Sequence, residues 1–576
     1  MMEPPQVNAH DVVDGLTQVP LLLYSAAMKP ARCVLLLRFV LLLQISLSVP
    51  IALEAAAAGS IDQAERGRKI YTQICWVCHQ ANGQGLPNVF PPLAGSDYLL
   101  ENKDRSIQAL LLGLNEKITV NGRSYQGVMP PSGLGDDQIA DVLTYVRSAW
   151  SNRGDAVSAA DVRRMRARLA LEGKKVGDAT APFPQLPKAP AGLVLREVAQ
   201  LPEQPVRLAV DGDSKRVYVL SVQGHIWGLN RETGELQSVL RGEAYIDPKR
   251  GDPNCVGMAF DRQRRLYLVV NQRDESGAIV TNQVTIFRTA SPVIAGQPVV
   301  PKPWFQTSYP WGIGPFNHGV GNIALGPDGN LYVASGSRTD GNEPGENPRY
   351  WKGGEHELTA CIWRLNPAME PPALEIYARG LRNPYGFCWN DRGEMVATDN
   401  GPDADAPEEL NVIERGRHYG FPYQFSDWTK KPYSYTPEAP AALAFTRPVI
   451  NLGPDAGFDH APMSTFDPHS SPAGICFLGE GFPAAYRGGF LVTRFGNLLS
   501  KPKDVGFDVL MVRLDPATGS GRSASVKSLL AALGRPIDVA VVAPGKVLVA
   551  EYSRATSNSG AGGMLPGRIL ELSVAP

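Results

Sequence analysis

Hydrophobic and polar positions follow two different patterns in this chain of 576 residues. From about Ile61 to Trp150, apolar residues recur at the spacing of an amphipathic helix. One predicted helix near the end of this part carries four of them on one face: Ile139, Val142, Leu143 and Val146. From about Leu193 onward, short apolar runs rich in β-branched residues alternate with turn residues, which is typical of strands. The chain is therefore predicted to hold a small all-α domain followed by a large all-β domain.

The β-rich part repeats one unit, an apolar strand followed by a turn and a second strand. Six such units begin at Pro205, Cys255, Gly321, Asn383, Ser471 and Arg535. Six units over this length predict a six-bladed β-propeller with inserted loops. A long array of β-sandwiches is the alternative, but it does not explain the long insertions between units.

The length of the chain favours two or more domains. The predicted division is a signal region at 1–58, a helical domain at 61–150, a linker at 151–192 and the propeller at 193–576. The linker begins with a basic helical stretch, interpreted as a solvated connector, and ends in a Pro-rich tether.

The charge composition of the chain limits which kinds of molecule it is expected to bind. Lys and Arg total 56 against 57 Asp and Glu, a formal net charge of −1, and no basic run or stripe stands out. Phosphate binding requires clustered basic residues, so nucleic acid is not expected to be a partner.

The N-terminal region resembles a secretory signal. From Met28, a basic start is followed by an apolar stretch and by small residues ending at Ala58, the order of a cleavable signal peptide. Met28 is therefore a candidate for the true start. An uncleaved membrane anchor is the alternative, because the apolar stretch could span a bilayer if Arg38 is tolerated. Either reading places the rest of the protein in the periplasm or outside the cell.

The segment CWVCH at Cys75–His79 is the strongest chemical motif. Two cysteines separated by two residues, with histidine next, are the pattern of c-type haem attachment. Each thiol would form a thioether with a porphyrin vinyl group, and His79 would ligate the iron. The alternative is a redox or zinc pair, but the two further ligands that zinc needs are not found nearby.

Residues 61–150 resemble a class I cytochrome c. In that family the second axial ligand is a methionine in a loop before the last helix, where this sequence has GVMPPSGLG with Met129. The resemblance implies that Met129 ligates the haem iron and raises its potential, although a lone Met is more often core packing. The Pro91–Leu93 run resembles the family's segment on the histidine side of the haem.

The other cysteines divide by location. Cys33 lies in the signal region, and four more are spread through the β-rich part: Cys255, Cys361, Cys388 and Cys476. An oxidising compartment permits disulfides among these four, while buried free thiols are the alternative that we favour slightly.

The propeller resembles the soluble PQQ-dependent glucose, aldose and sorbosone dehydrogenases. Three segments carry the resemblance, in family order: FNHGVGNIALGPDGNLYVASG, GLRNPYGFCWN and TDNGPDADAPEELNVIERGRHYGFP. The resemblance implies a propeller that holds PQQ and Ca²⁺ and oxidises a sugar.

The resemblance also implies roles for single residues. His318 would be the general base and Arg382 would contact the quinone oxygen, where a cation stabilises developing negative charge. Asn383, Arg494 and Arg535 would bind PQQ, whose three carboxylates require cations.

Two calcium sites are implied in the same way. The backbone carbonyls of Gly401 and Pro402 would bind the cofactor-site ion, since Ca²⁺ prefers oxygen ligands. Glu408, Glu409 and Tyr419 resemble part of a second, structural site, although two extra residues precede the acids.

The sequence departs from the family at two positions. Asn317 precedes His318 where some relatives have Asp, which leaves orientation of the imidazole to another residue. Ile537 stands where relatives often have a second arginine, so one contact to PQQ is missing or replaced.

Together these features predict a periplasmic dehydrogenase that oxidises an aldose or a related sugar aldehyde. Its electrons would pass from PQQ to the fused haem c, and then to a soluble cytochrome or a membrane respiratory acceptor. Two alternatives stay open: a propeller without cofactor that binds a glycan or protein, and a plain cytochrome with a structural propeller.

Overall fold

The computed structural model describes most of the chain after residue 61. The described residues are 62–80, 82–85, 89–174, 183–212, 216–251, 253–293, 299–312, 318–343, 349, 353–426, 431–455, 462–498, 504–517, 521–558 and 565–576. The predicted signal region, with Met28 and Cys33, lies outside them. Among the described helices, none is long and apolar enough to cross a bilayer. Residues Gln63–Pro576 form one compact unit.

The first part of this unit is helical, as predicted. Helix α1 runs over 62–79 and includes a π-helical turn at Tyr71–Cys75 and a last turn at Trp76–His79. It is followed by α2 (Asp97–Leu100), α3 (Lys103–Leu112), α4 (Asp136–Ser148) and α5 (Ala159–Leu171), with a hairpin of β1 (Ile118–Val120) and β2 (Arg123–Tyr125) before α4. The apolar face predicted for α4 is buried in the core of this domain.

Helix α5 corrects the predicted domain boundary. This basic stretch was expected to be a solvated connector, but Val162, Met165 and Leu169 on one of its faces are buried in the helical core. Asp161 at its start pairs with Lys103, 3.1 Å away. The basic residues that suggested a solvated helix occupy only the outer face, so the helical domain extends to Leu171 and the linker begins after it.

The β-rich part forms six sheets, which confirms the predicted six-bladed propeller. Each predicted repeat unit supplies the first two strands of one blade. Blade 1 contains β4 (Pro205–Val210), β5 (Arg216–Ser221), β6 (Ile226–Asn230) and β7 (Leu236–Leu240). Blade 2 contains β8 (Pro253–Phe260), β9 (Leu266–Asp274), β10 (Thr281–Arg288) and β11 (Lys302–Pro310). Blade 3 contains β12 (Val320–Leu325), β13 (Leu331–Ser335), β14 (Cys361–Leu365) and β15 (Leu374–Arg379).

The other three blades vary this plan. Blade 4 has three strands, β16 (Phe387–Trp389), β17 (Met395–Asp399) and β18 (Glu409–Ile413). Blade 5 combines β21 (Pro472–Phe477), β22 (Phe490–Arg494), β23 (Asp508–Leu514) and β24 (Ser523–Leu530) with two additional edge strands, β19 (Ile450–Pro454) and β20 (Met463–Ser464). Blade 6 contains β25 (Pro536–Ala543), β26 (Lys546–Glu551), β27 (Arg568–Val574) and β3 (Leu193–Gln200).

The first strand of the propeller closes the ring. Strand β3 pairs antiparallel with β27, so Leu193 lies opposite Val574 near the end of the chain. The innermost strands β4, β8, β12, β16, β21 and β25 contact one another in sequence around the centre. Between blades 1 and 6, Arg207 and Asp538 form a buried ion pair with 3.1 Å between Nη1 and Oδ1. The sheets therefore enclose a central channel.

The described cysteines form no disulfide among themselves. Cys75, Cys78, Cys255, Cys361, Cys388 and Cys476 are free thiols. Burial raises the pKa of the Cys255 and Cys361 thiols to about 12, which keeps them protonated.

Candidate functional site

The two predicted haem-attachment cysteines line a cleft in the helical domain. Cys75, Cys78, His79 and Met129 all border this cleft, which encloses about 1230 Å³ of unfilled space including its mouth. The rest of the lining is mostly apolar, from α3, α4 and the segment Val89–Leu93. An apolar cleft bordered by two thiols, an imidazole and a thioether fits the donor set of haem c.

His79 is held in the tautomer that metal ligation requires. Its Nδ1 lies 3.0 Å from the carbonyl oxygen of Pro91 and donates a proton to it, which leaves Nε2 unprotonated for iron. Burial lowers the pKa of His79, so its ring is neutral. The Pro91–Leu93 run thus lies on the histidine side of the cleft, as the sequence resemblance implied.

Met129 is fixed by its backbone. Its N–H and carbonyl exchange hydrogen bonds of 2.7 Å with Leu114, an isolated antiparallel bridge between two loops. Since its side chain borders the same cleft as His79, the position suits an axial ligand.

On the propeller, the predicted base His318 lies just before β12. Ser337, after β13, accepts a 3.0 Å hydrogen bond from His318 N at its carbonyl oxygen, and its Oγ lies 3.3 Å from His318 Nδ1. The Ser337 hydroxyl donates to the Thr339 carbonyl at 2.6 Å, so its oxygen is left to accept from Nδ1–H. Ser337 N also donates to the Arg382 carbonyl at 2.6 Å. Ser337 therefore joins His318 to Arg382.

Arg382 is buried, with 3% of its surface exposed. Its Nη2 donates to Asp340 Oδ1 at 2.5 Å, and its Nη1 donates to the Asn400 carbonyl at 3.0 Å. Tyr433 Oη donates to the other oxygen of Asp340. Burial alone would lower the pKa of the Arg382 guanidinium. The negative charge of nearby carboxylates, Asp340 foremost, has the larger combined effect, so the pKa is raised. Arg382 is therefore a permanent cation at this position.

The predicted cofactor loop adjoins Arg382. Asp399 accepts from Asn383 N at 2.6 Å and from Arg382 N at 3.0 Å, while Asn400 N donates to the Asn383 carbonyl at 3.2 Å. These bonds bring Asn383 next to the loop that carries Gly401 and Pro402. The structure thus assembles five predicted residues in one place: His318, Arg382, Asn383, Gly401 and Pro402.

Carboxyl groups are concentrated around this loop. Glu408 accepts a hydrogen bond from Gly401 N, and burial raises the pKa of Glu408 to about 8. Burial, followed by the charge of Glu409, raises the pKa of Asp399 well above its usual range. Within the described residues, neither the Gly401 nor the Pro402 carbonyl accepts a hydrogen bond from the protein. A site rich in carboxyl groups with free carbonyls fits the donor chemistry of Ca²⁺.

The three ligands expected for a second calcium do not converge. Glu408 binds Gly401 N, whereas Glu409 accepts from Ser426 N and from the Asn411 side chain. The Tyr419 hydroxyl donates to the Val412 carbonyl at 2.7 Å. In the described part of the chain, no group of three or more His, Cys, Asp or Glu side chains could hold a metal ion. The structure therefore does not support the second site. Neighbouring residues at the start of β18 face opposite sides, which the sequence match did not take into account.

Arg494 and Arg535, both expected to bind PQQ, have different surroundings. Arg494 pairs with three carboxylates, Asp508 at 2.6 Å, Asp467 at 3.1 Å and Asp455 at 3.4 Å. Its charge is already balanced within blade 5, so its role toward PQQ stays a prediction with little support from the geometry.

Arg535 is a buried cation whose hydrogen-bond partners are neutral. Its guanidinium donates to the Asn497 carbonyl at 3.3 Å and to Asn558 Oδ1 at 3.0 Å, and it lies over the rings of Phe495 and Phe507. Burial lowers the pKa of Arg535 to about 10. A buried guanidinium without a carboxylate partner among the described residues fits an incoming anion such as a PQQ carboxylate.

Three residues of this site were not predicted from the sequence: Ser337, Asp340 and Tyr433. Ser337 and Asp340 closely follow the first family motif, and Tyr433 lies outside all three motifs. Their proximity to the first motif was a usable signal for Ser337 and Asp340. No sequence signal identified Tyr433, because its contact spans 93 residues.

Comparison with known proteins matches the helical and the β-rich part of the chain to two different families. A cytochrome c family model matches residues 64–150, and a glucose/sorbosone dehydrogenase family model matches residues 255–498. Cytochrome c-552 of Thermus thermophilus is 41% identical over 130 residues, covering 19% of this chain and 96% of that protein.

The propeller has more distant relatives. Quinoprotein glucose dehydrogenase B of Acinetobacter calcoaceticus is 23% identical over 248 residues, which cover 38% of this chain and half of that protein. The PQQ-bound aldose sugar dehydrogenase of Streptomyces coelicolor is a solved structure with 21% identity and a TM-score of 0.43, covering 67% of this chain and all of that one.

Fold, site and comparisons define the class of protein, a chain that joins a cytochrome c domain to a β-propeller of the dehydrogenase type. Its N-terminal domain belongs to the cytochrome c family, and residues 255–498 of its propeller match the glucose/sorbosone dehydrogenase family model. The cytochrome domain implies haem c, and the dehydrogenase family implies PQQ.

Proposed function

We propose that this protein is a periplasmic quinohaemoprotein dehydrogenase that oxidises an aldose, or a related sugar aldehyde, to a lactone or acid. The observation that carries the proposal is the link made by Ser337 between His318 and Arg382, since it joins the predicted base to the residue that bears the buried cation. Haem c in the same chain would receive the electrons and pass them to a soluble cytochrome or a membrane acceptor.

His318 is suited to remove a proton from a sugar hydroxyl. With Nδ1–H donated to Ser337 Oγ, Nε2 is the unprotonated ring nitrogen and would accept that proton. A neutral imidazole has a proton affinity appropriate to this task near neutral pH. PQQ, when bound, supplies an electrophilic quinone that takes up the two electrons of the oxidation.

Arg382 and Arg535 would hold the cofactor through their positive charges. Asp340 keeps the Arg382 guanidinium charged and fixed in place. The positive charge of Arg382 is therefore already positioned to stabilise negative charge that develops nearby. Arg535 would pair with a PQQ carboxylate, and Asn383 would add a hydrogen bond. Gly401 and Pro402 would supply carbonyl oxygens to a calcium ion that neutralises the remaining cofactor charge.

The experiment uses purified full-length protein with haem attached and oxidised, in Ca²⁺, with and without PQQ. Haem absorbance is followed while aldoses and aldehydes are added. We expect haem reduction only when PQQ and a particular substrate are both present, and none with His318→Ala, which should still bind PQQ. A protein that binds PQQ but reduces its haem with no sugar or aldehyde would contradict the proposal.

A cofactor-less binding module is the second candidate. Ile537 in place of a second arginine and the three carboxylates around Arg494 both favour it, because each removes a cation from the expected PQQ site. Equilibrium binding of PQQ to the purified protein separates the two candidates, since a binding module would retain none.

A further inference from the structure

The haem-attachment helix lies against the propeller. Trp76, between the two haem cysteines, is partly buried and packs against both the core of the helical domain and the large hydrophobic cluster of blades 1, 2 and 6. Gln223 in the β5–β6 turn donates through Nε2 to the Thr72 carbonyl at 3.1 Å. The cytochrome therefore contacts the propeller through the turn that carries its haem motif.

An aromatic group on the propeller packs against the same cluster as Trp76. It consists of Tyr385, Phe495 and Tyr552. The rings of Phe495 and Tyr552 are 5.3 Å apart, and Arg535 lies 5.0 Å from the centre of the Phe495 ring. Tyr552 N donates to the Arg535 carbonyl at 2.9 Å. These contacts join the aromatic group to the arginine expected to hold PQQ.

Cys78 borders the haem cleft and lies in Trp76–His79, the same turn whose Trp76 packs against the propeller cluster. A thioether at Cys78 is attached to the periphery of the porphyrin, so the haem edge would lie on this side of the cytochrome. Arg535 would then lie between the haem edge and the quinone site.

We propose that the cytochrome is docked permanently on the propeller with its haem edge at the rim of the quinone pocket, and that Trp76, Arg535 and Tyr552 form the bridge for electrons. This inference rests on the proposed function and adds the route. No domain movement is needed, because the contact already exists in the folded chain.

The electrons balance with one external oxidant. Oxidation of a sugar hydroxyl removes two electrons and two protons, and the protons leave to water. A haem iron accepts one electron at a time, so a one-electron acceptor in solution or membrane has to oxidise the haem after each transfer. Both electrons therefore cross the same bridge in succession.

Two rates measured on the full holoprotein test the bridge. A small one-electron dye that takes electrons directly from the propeller reports its chemistry, and stopped-flow absorbance reports haem reduction. We expect haem reduction to be first order and independent of protein concentration. Trp76→Ala should slow it at least tenfold while dye-linked turnover is unchanged. Equal haem reduction in Trp76→Ala and wild type would overturn the route.

Two further variants serve as a control and as a second test of the contact between the domains. Trp389 is partly buried like Trp76 but packs against a cluster of blades 3 and 4 without cytochrome residues, so Trp389→Ala should leave the ratio of the two rates unchanged. Gln223→Glu places a carboxylate against the Thr72 carbonyl and leaves the haem motif intact. It should slow haem reduction even if Trp76→Ala impairs haem attachment.

A measurement without substrate separates this inference from the proposed function. PQQ brings carboxylates beside the haem edge, and nearby negative charge favours the ferric state, so PQQ in Ca²⁺ should lower the haem midpoint potential. The shift should shrink in Gln223→Glu and persist in Trp389→Ala. PQQ binding without any shift would overturn the docking, whereas a shift without turnover of any sugar would overturn only the proposed activity.

Discussion

Ser337 Oγ lies 3.3 Å from His318 Nδ1, and the same hydroxyl donates its proton to the Thr339 carbonyl. A hydroxyl whose proton is engaged elsewhere can only accept from the ring, so it fixes which imidazole nitrogen carries the proton. The orienting role that Asn317 left unassigned in the sequence thus falls to a residue 19 positions after His318.

Ser337→Ala is expected to lower kcat/KM about tenfold, a part of the 10²–10⁴-fold that acid–base catalysis contributes, while PQQ binding is unchanged. Ser337→Thr, which keeps the hydroxyl, should restore most of the loss. Ser335→Ala is the matched control: Ser335 is equally buried on β13, but its hydroxyl donates to the Leu358 carbonyl. Equal kcat/KM in Ser337→Ala and wild type would exclude the orienting role.

The two arginines expected to bind PQQ should differ when each is replaced by methionine. One replacement should mainly lower stability, and the other should mainly weaken PQQ binding. Arg494→Met leaves three carboxylates without their cation and should cost about 3–5 kcal/mol of unfolding free energy. Arg535→Met should change stability less and weaken PQQ binding by about 10- to 150-fold, the value of a charge-assisted hydrogen bond. Denaturant unfolding and equilibrium binding of PQQ measure both effects. If Arg494→Met weakened PQQ binding more than Arg535→Met, then Arg494 and not Arg535 would be the PQQ ligand.

Met129→Ala should keep haem attached through Cys75 and Cys78 but change its visible spectrum. Loss of a thioether ligand is expected to lower the midpoint potential by on the order of 100 mV, since axial ligands tune haem potentials over roughly 0.8 V. Met165→Ala, a core methionine of α5 outside the haem cleft, is the control and should alter only stability. An unchanged potential in Met129→Ala would mean that another residue ligates the iron.

Asp328 in the β12–β13 turn gives a pH-dependent contribution to stability. Burial alone would raise its pKa, but hydrogen bonds from Arg364 and Asn330 lower it to about 2. A lowered carboxyl pKa stabilises the fold above the unfolded value near 3.8, and this stabilisation is lost as pH falls toward 2.

Asp328→Asn should therefore cost about 1 kcal/mol at pH 7, after allowance for solvent screening of this half-exposed pair. The difference from wild type should shrink as the pH falls toward 2 and vanish below it, as measured by denaturant midpoints at each pH. A difference that persists unchanged at pH 2 would assign the effect to packing. Because Asp328 lies in the GPDGN part of the first family motif, this result would also separate the motif's structural residues from its chemical ones.

The sequence by itself determined the order of domains, the haem motif and the number of blades. Helical and strand periodicities are local, and CWVCH contains its chemistry within five residues. The same locality explains the placement of His318, Arg382 and Gly401, each carried by a motif that forms one strand and its adjoining turn.

Only the tertiary structure decided which charges are free and which are already paired. Arg494 and Arg535 look alike in sequence, yet three aspartates from blade 5 and its edge surround one, and neutral groups surround the other. Tertiary structure also decided the role of α5. Its sequence is rich in basic residues, but its apolar face is buried in the core of the helical domain. The hydrogen bond from Gln223 to the Thr72 carbonyl joins residues 151 positions apart, and no local pattern encodes such a contact. Pairing and docking depend on distances between chain segments, which periodicity and motifs leave undetermined.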